Sequence, residues 1–165
     1  MNFEAQSHEF FIILVKDFYH YFQKPPNLIS SISRIFNMSE LQYAVIGVGN
    51  MGKNHARSLH DMPEARLLAV ADANLAVAQA VAGQYGCEAF DDYRKVLALP
   101  GLQAVSVCVP TSMHTEVTME CLRQGKHVLL EKPIAPTIEE GRQLQAFAKA
   151  QGLQLMVGHI ERFNP

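Results

Sequence analysis

Short apolar runs alternate with longer stretches of helical period along most of the chain, from Leu41 onward. The runs are rich in Val, Ile, Leu and Ala without a polar alternation, as expected for strands buried on both faces. This pattern predicts strands over residues 43–47, 67–71, 88–90, 104–109, 127–131 and 153–157. The periodic stretches between them predict helices over residues 51–62, 75–85, 91–99, 112–123 and 138–150.

Strands that alternate with helices form parallel sheets covered on both faces. Because crossover connections between parallel strands are right-handed, the expected architecture is a doubly wound α/β sheet. The 165 residues allow one domain of ordinary size. We therefore predict a single α/β domain over residues 38–165.

Residues 1–37 differ in composition from the rest, since eight of the aromatic side chains precede Met38. A secretory signal is not favoured, because the segment carries Glu4 and Glu9 near its start and its apolar run ends at Lys16. Two interpretations stay open. The segment is an amphipathic arm that packs on the domain or on a partner, or the start is assigned too early and the natural protein begins at Met38. The second is favoured, because a strand pattern follows Met38 within a few residues.

Charge and cysteine usage exclude several classes of protein. With 14 basic and 16 acidic residues, the chain has no basic excess to hold nucleic acid through phosphate contacts. No apolar run approaches the ~20 residues that cross a bilayer. The cysteines Cys87, Cys108 and Cys121 are odd in number and match no metal-ligand spacing. We therefore expect reduced thiols, a cytoplasmic location and no metal site.

The first predicted strand runs into a glycine turn. Gly47, Gly49 and Gly52 fit the pattern G-x-G-x-x-G, with Asn50 and Met51 between the last two, and a predicted helix follows. In this context the first glycine makes a tight turn, the second lets a pyrophosphate approach the backbone, and the third lets the helix pack on the sheet. The N–H groups at the start of that helix would face the phosphates. The turn predicts a dinucleotide site of the Rossmann type.

Asp72 follows the second predicted strand, 20 residues after Gly52. A carboxylate there is placed to accept hydrogen bonds from the adenosine ribose hydroxyls. Taken alone, Asp72 is more simply a helix cap or turn acid, and S-adenosylmethionine methyltransferases also place an acid after strand two. Ala73 and Asn74 follow, with no arginine to hold a 2′-phosphate, so the sequence favours NAD over NADP.

Two later segments carry a more specific signal. Val109-Pro110-Thr111-Ser112-Met113-His114 is followed by Gly125-Lys126-His127-Val128 and then by Glu131-Lys132-Pro133. Together these segments resemble the Gfo/Idh/MocA family of NAD(P)-dependent oxidoreductases, and the resemblance covers roughly residues 41–165.

The resemblance implies roles for individual residues. Lys132 would lie near the nicotinamide and the reacting sugar hydroxyl as the catalytic group, and Glu131 beside the nicotinamide ribose. Pro110, Thr111 and His114 would line the cofactor groove. From the residues alone, a lysine that ends a parallel strand faces the ligand crevice and can stabilise a developing alkoxide. A solvated lysine at a strand end is the commoner arrangement.

The last residues of the chain resemble the segment that leads into the family's substrate domain. His159 and Arg162 would be near the substrate, and Gly158-His159-x-Glu161-Arg162-Phe163-Asn164-Pro165 is similar to members acting on nucleotide sugars, notably UDP-N-acetylglucosamine 3-dehydrogenases. Full-length members continue into a second α/β domain, and this chain stops where that crossing would begin.

Two functions follow from the sequence. The chain is the cofactor half of a dehydrogenase that passes hydride from a sugar or nucleotide-sugar carbon to NAD, with a separate substrate domain or a homo-oligomer completing it. Alternatively, it is a non-catalytic module that binds NAD or a partner.

Overall fold

The computed structural model describes residues 40–158. The segment 1–37 and the candidate residues His159 and Arg162 lie outside this range. The strands are β1 (Leu41–Ile46), β2 (Ala65–Ala71), β3 (Glu88–Phe90), β4 (Ala104–Val107), β5 (His127–Leu130) and β6 (Leu155–Val157). The helices are α1 (Asn50–His60), α2 (Leu75–Tyr85), α3 (Tyr93–Leu97), α4 (His114–Arg123) and α5 (Ile138–Ala150), with a 3₁₀ turn at Thr111–Met113 before α4.

The six strands form one parallel sheet in the order β3-β2-β1-β4-β5-β6. This is the doubly wound order that the strand–helix alternation predicts, so the predicted fold class is confirmed. The chain reverses its direction of winding between β1 and β4. In sheets of this kind, ligands bind outside the carboxyl ends of the strands at that reversal.

The central strand β1 shows why its sequence lacks a polar alternation. Tyr43 and Val45 point into one core layer with α1 and α2, and Ala44 and Ile46 point into the opposite layer with α4 and α5. All four side chains are buried. Because helices cover both faces of β1, successive side chains point into one core layer or the other, and all four of these positions need apolar residues.

Several predicted boundaries differ from the structure. Strand 104–109 ends at Val107, and the helix predicted from Ser112 begins as the 3₁₀ turn, in which Met113 N donates to Pro110 O at 2.8 Å. Proline has no N–H for a strand ladder, so the chain leaves the sheet before it. The helix predicted over 91–99 spans only Tyr93–Leu97, because the Asp92 side chain accepts a hydrogen bond from Arg94 N and caps it.

Among the residues of the described range, no helix is long and apolar enough to cross a membrane.

Candidate functional site

A cleft of about 840 Å³ lies at the carboxyl ends of the central strands. Its walls come from three places: the glycine turn after β1, the segment after β2, and the segment after β4. The loop into α3 closes one end. The lining residues are Ile46, Gly47, Gly49, Asn50, Met51, Ala71, Asp72, Ala73, Asp91, Asp92, Tyr93, Arg94, Cys108, Val109, Pro110 and Met113.

The glycine turn is packed so tightly that two of its positions exclude a side chain. Gly47 has a φ of +84°, and a Cβ atom there would lie 2.7 Å from the carbonyl oxygen of Cys108. A Cβ atom on Gly52 would lie 1.8 Å from the carbonyl oxygen of Gly47. Gly49 differs, because no atom lies within 4 Å of its Cβ position, and it lines the cleft. The backbone at Gly49 is therefore open to a bound group.

Helix α1 begins at the edge of the cleft. Gly49 is its N-cap residue and provides no side-chain hydrogen bond, and the next two residues, Asn50 and Met51, line the cleft. The N–H groups of the first helical turn have no intrahelical acceptor and attract anions. The open backbone at Gly49 and this uncapped turn fit the pyrophosphate of a dinucleotide.

Asp72 joins the glycine turn to the end of β2. One carboxylate oxygen accepts a hydrogen bond from Val48 N at 3.0 Å, and the other accepts one from Asn74 N at 2.9 Å. The side chain thus has the role of a turn acid, one of the alternatives that the sequence left open. It also lines the cleft, and each carboxylate oxygen has a second lone pair for a ligand hydroxyl.

A buried polar network lies beneath this turn. His55 Nε2 is 2.7 Å from Glu131 Oε1, and His55 Nδ1 is 3.3 Å from Cys108 Sγ. The second Glu131 oxygen accepts a hydrogen bond from Lys132 N at 3.1 Å. The His55 side chain is 1% exposed and that of Glu131 9%. The network connects α1 with the segments that follow β4 and β5.

The environment sets the protonation state of each group. Burial lowers the pKa of His55 and raises that of the Cys108 thiol well above its usual value. Burial alone would raise the pKa of Glu131, but the hydrogen bonds from His55 and from Lys132 N, together with the charge of Lys132, lower it. The network therefore contains a carboxylate, a neutral imidazole and a thiol near neutral pH.

This arrangement predicts a stability that falls in mild acid. The folded state holds His55 with a lowered pKa, so below the unfolded value of about 6.5 the unfolded chain takes up a proton that the folded chain resists. Unfolding free energy should then fall by up to about 1.4 kcal/mol per pH unit from this residue. Urea titrations between pH 7.5 and 5.5 should show a shallower fall for His55→Gln than for the wild type. The exposed His60→Gln is the control, and equal slopes for wild type and His55→Gln would contradict the assignment.

His114 is buried at the start of α4 and bridges two loops. Its Nδ1 is 2.7 Å from Pro133 O, and its Nε2 is 3.0 Å from Val109 O. The ring therefore holds the segment after β4 against the Glu-Lys-Pro segment. The Lys132–Pro133 peptide is cis, and the Lys132 side chain is exposed.

The structure brings most of the predicted cofactor residues together. Six of them line the cleft: Gly47, Gly49, Asn50, Met51, Asp72 and Pro110. Gly52 packs directly beneath it. The cleft lining does not include the other four, which are Thr111, His114, Glu131 and Lys132. These four residues follow β4 and β5, at the same edge of the sheet as the cleft. The burial of His114 and Glu131 gives both a bonding role within the protein, and their contact with cofactor stays a prediction.

His55 is a site residue that the sequence reasoning missed. It lies three residues after Gly52 and four before Leu59, which places all three on the buried face of α1. A histidine on such a face needs a polar partner, and this signal was available in the sequence. The partner, Glu131, is 76 residues away, and only the fold brings the two together.

A sequence model of the oxidoreductase family with an NAD-binding Rossmann fold, GFO_IDH_MocA, matches residues 41–159. The chain belongs to the Gfo/Idh/MocA oxidoreductase family. The match confirms the family resemblance that was drawn from the sequence. It also confirms the predicted class of cofactor, because the matched family domain binds NAD.

Relatives in this family act on different substrates. Inositol 2-dehydrogenase of Rhizobium meliloti is 37% identical over 125 residues, which are 76% of this chain and 38% of the relative. The structure of UDP-N-acetylglucosamine 3-dehydrogenase GnnA of Acidithiobacillus ferrooxidans superposes with a TM-score of 0.71 at 36% identity, over 76% of this chain and 40% of that one. The complex of KijD10, a 3-ketoreductase of Actinomadura kijaniata, with NADP and TDP-benzene gives a TM-score of 0.70 at 29% identity, over 73% and 37% of the two chains.

The chain thus spans less than half the length of these Gfo/Idh/MocA relatives and matches their NAD-binding part. Identity does not separate the inositol relative from the nucleotide-sugar one, since the values are 37% and 36%.

Proposed function

We propose that this chain is the cofactor-binding part of an NAD-dependent dehydrogenase that oxidises a hydroxyl carbon of a sugar or nucleotide sugar. The observation that carries the proposal is the bonding of Asp72 to the glycine turn inside the cleft. That contact puts a carboxylate and an open phosphate-binding backbone side by side, as the adenosine half of NAD requires.

Each part of the site has a proposed task. The backbone at Gly49 and the first turn of α1 bind the pyrophosphate, and Asp72 accepts the hydroxyls of the adenosine ribose. Lys132, at the end of β5, holds its ammonium near the substrate hydroxyl and stabilises the oxygen as its proton leaves. NAD, when bound, supplies the hydride acceptor. Pro110 and Thr111 shape the wall after β4, and His159 and Arg162 are the proposed substrate-side residues.

The site should prefer NADH to NADPH. A 2′-phosphate would lie close to the carboxylate of Asp72, and like charges at short range repel. We expect NADH to bind at least about tenfold more tightly, since ~1.4 kcal/mol of repulsion is enough for that ratio. Calorimetry with both dinucleotides measures it directly, and equal or inverted affinities would contradict the assignment. Arg94 in the cleft does not reverse this expectation, because it is 3.5 Å from Asp92 and 3.6 Å from Glu116.

The second candidate is a module that binds NAD without catalysis. It is favoured if NADH binds and no sugar, inositol or nucleotide sugar is oxidised, with or without a separately expressed substrate domain. Turnover of a nucleotide sugar would favour the dehydrogenase of that subfamily. We place the protein in the cytoplasm, because Cys87, Cys108 and Cys121 are all free thiols. A homo-oligomer or a separate substrate domain would complete the catalytic site.

A further inference from the structure

The polar network beneath the cleft links its floor to the Glu-Lys-Pro segment. Cys108 lines the cleft, and its thiol contacts His55. His55 in turn contacts one carboxylate oxygen of Glu131. The other oxygen of Glu131 accepts a hydrogen bond from Lys132 N. These contacts join β4, α1 and β5 at the edge of the sheet where the ligand site lies.

The distances define a single consistent hydrogen-bond direction. A carboxylate oxygen only accepts, so the 2.7 Å contact places a proton on His55 Nε2. The neutral ring then has an acceptor at Nδ1, which takes the S–H of Cys108. Every proton in the network has one acceptor, and Glu131 uses one oxygen on His55 and the other on Lys132 N.

We propose that His55 is a positioning residue of the dinucleotide site, which acts by orienting the Glu131 carboxylate so that it fixes the backbone at Lys132. The inference rests on the proposed function, because Lys132 marks the nicotinamide end of the site. Within residues 40–158, the buried carboxylate that has lost the His55 donor keeps one hydrogen bond, the one from Lys132 N, and is free to turn. The Lys132 backbone then loses its fixed acceptor.

Comparing the binding of ADP with that of NADH distinguishes the two ends of the site. ADP occupies only the adenosine and phosphate half, which depends on the glycine turn and Asp72. NADH also engages the nicotinamide end. Loss of positioning at Lys132 therefore weakens NADH and leaves ADP nearly unchanged, whereas general damage to the fold weakens both ligands alike.

The test uses calorimetry of NADH and ADP with the full chain and three variants. We expect His55→Leu to lower the affinity for NADH about tenfold more than that for ADP, the loss of one hydrogen bond to a charged group. His55→Gln should restore NADH binding to within about threefold, because its amide N–H can donate to Glu131. His60→Leu, on the exposed face of the same helix, is the matched control and should change neither.

Equal losses of NADH and ADP in His55→Leu, or no rescue by His55→Gln, would overturn the inference. If His55→Leu does not fold, His55→Asn takes its place, since its shorter amide falls short of Glu131. Nitrogen NMR of the wild type adds a signature: the ring should show the neutral Nε2–H form, and NADH but not ADP should shift it. A ring that carries its proton on Nδ1 alone would also overturn the inference, because its Nε2 could not donate to Glu131. Failure of the wild type to bind either ligand would instead defeat the proposed function.

Discussion

Replacing Gly52 with alanine is expected to lower the free energy of unfolding by about 3 kcal/mol, the upper range for overpacking a tight site. The new Cβ would lie 1.8 Å from the carbonyl oxygen of Gly47, which is backbone and cannot rotate away. Helix α1 would have to move off the sheet or the turn would have to open. Either change also removes the phosphate-binding backbone, so NADH binding should be lost with the stability.

Urea unfolding of Gly52→Ala and Gly83→Ala makes a matched comparison. Gly83 lies inside α2, has no atom within 4 Å of its Cβ position and is exposed. Alanine there should raise the unfolding free energy by about 0.5–1 kcal/mol, because alanine is the better helix former. The same substitution should thus have opposite signs at the two positions. A Gly52→Ala variant as stable as the wild type would show that α1 does not rest on the glycine turn in solution.

The sequence was sufficient for the fold class because the signal for each strand is local. Runs such as Ala-Val-Ser-Val at β4 are buried on both faces, and such runs alternate with helices in only a few topologies. The third glycine of the turn and the acid after β2 could also be assigned in advance, since their spacing along the chain reflects one βαβ unit.

The parts that could not be predicted depend on contacts between distant segments. The resemblance places Glu131 beside the nicotinamide ribose, which stays a prediction, and it does not show that both Glu131 oxygens accept hydrogen bonds within the protein. The resemblance places His114 in the cofactor groove, which also stays a prediction, and it does not show that the ring joins Val109 O to Pro133 O. In both cases the side chain completes the hydrogen bonds of a buried group, a demand that appears only once the segments are packed.

These contacts suggest how one short chain prepares a two-ended site. Asp72 fixes the glycine turn at the adenosine end, while His55 and His114 fix the segments that follow β5 and β4. His55 and His114 are buried and do not line the cleft, so they hold these segments in place from beneath it. Preorganisation of this kind lowers the ordering cost of binding.

Asp72→Ala should weaken NADH far more than Lys132→Ala does. The alanine removes two hydrogen bonds to an ionised group, from Val48 N and Asn74 N, and with them the acceptor for the ribose hydroxyls. Hydrogen bonds to a charged group contribute about 1.5–3 kcal/mol each, so losing the two proposed bonds to the ribose hydroxyls, even at the lower value, should weaken NADH on the order of 100-fold. Lys132 is exposed and its proposed task is performed on the substrate, so its removal should cost NADH less than about tenfold.

Asp72→Asn separates the two tasks of the carboxylate. The amide oxygen can still accept from Val48 N and hold the turn, but the charge and one acceptor are gone. We expect Asp72→Asn to bind NADH with an affinity between those of the wild type and Asp72→Ala. Its preference for NADH over NADPH should be smaller than that of the wild type, because the repulsion of a 2′-phosphate is removed. Calorimetry of all three variants with both dinucleotides provides the comparison. Equal losses in Asp72→Ala and Lys132→Ala would mean that the adenosine and nicotinamide ends are wrongly assigned, since only the Asp72 end is bonded to the turn that binds the phosphates.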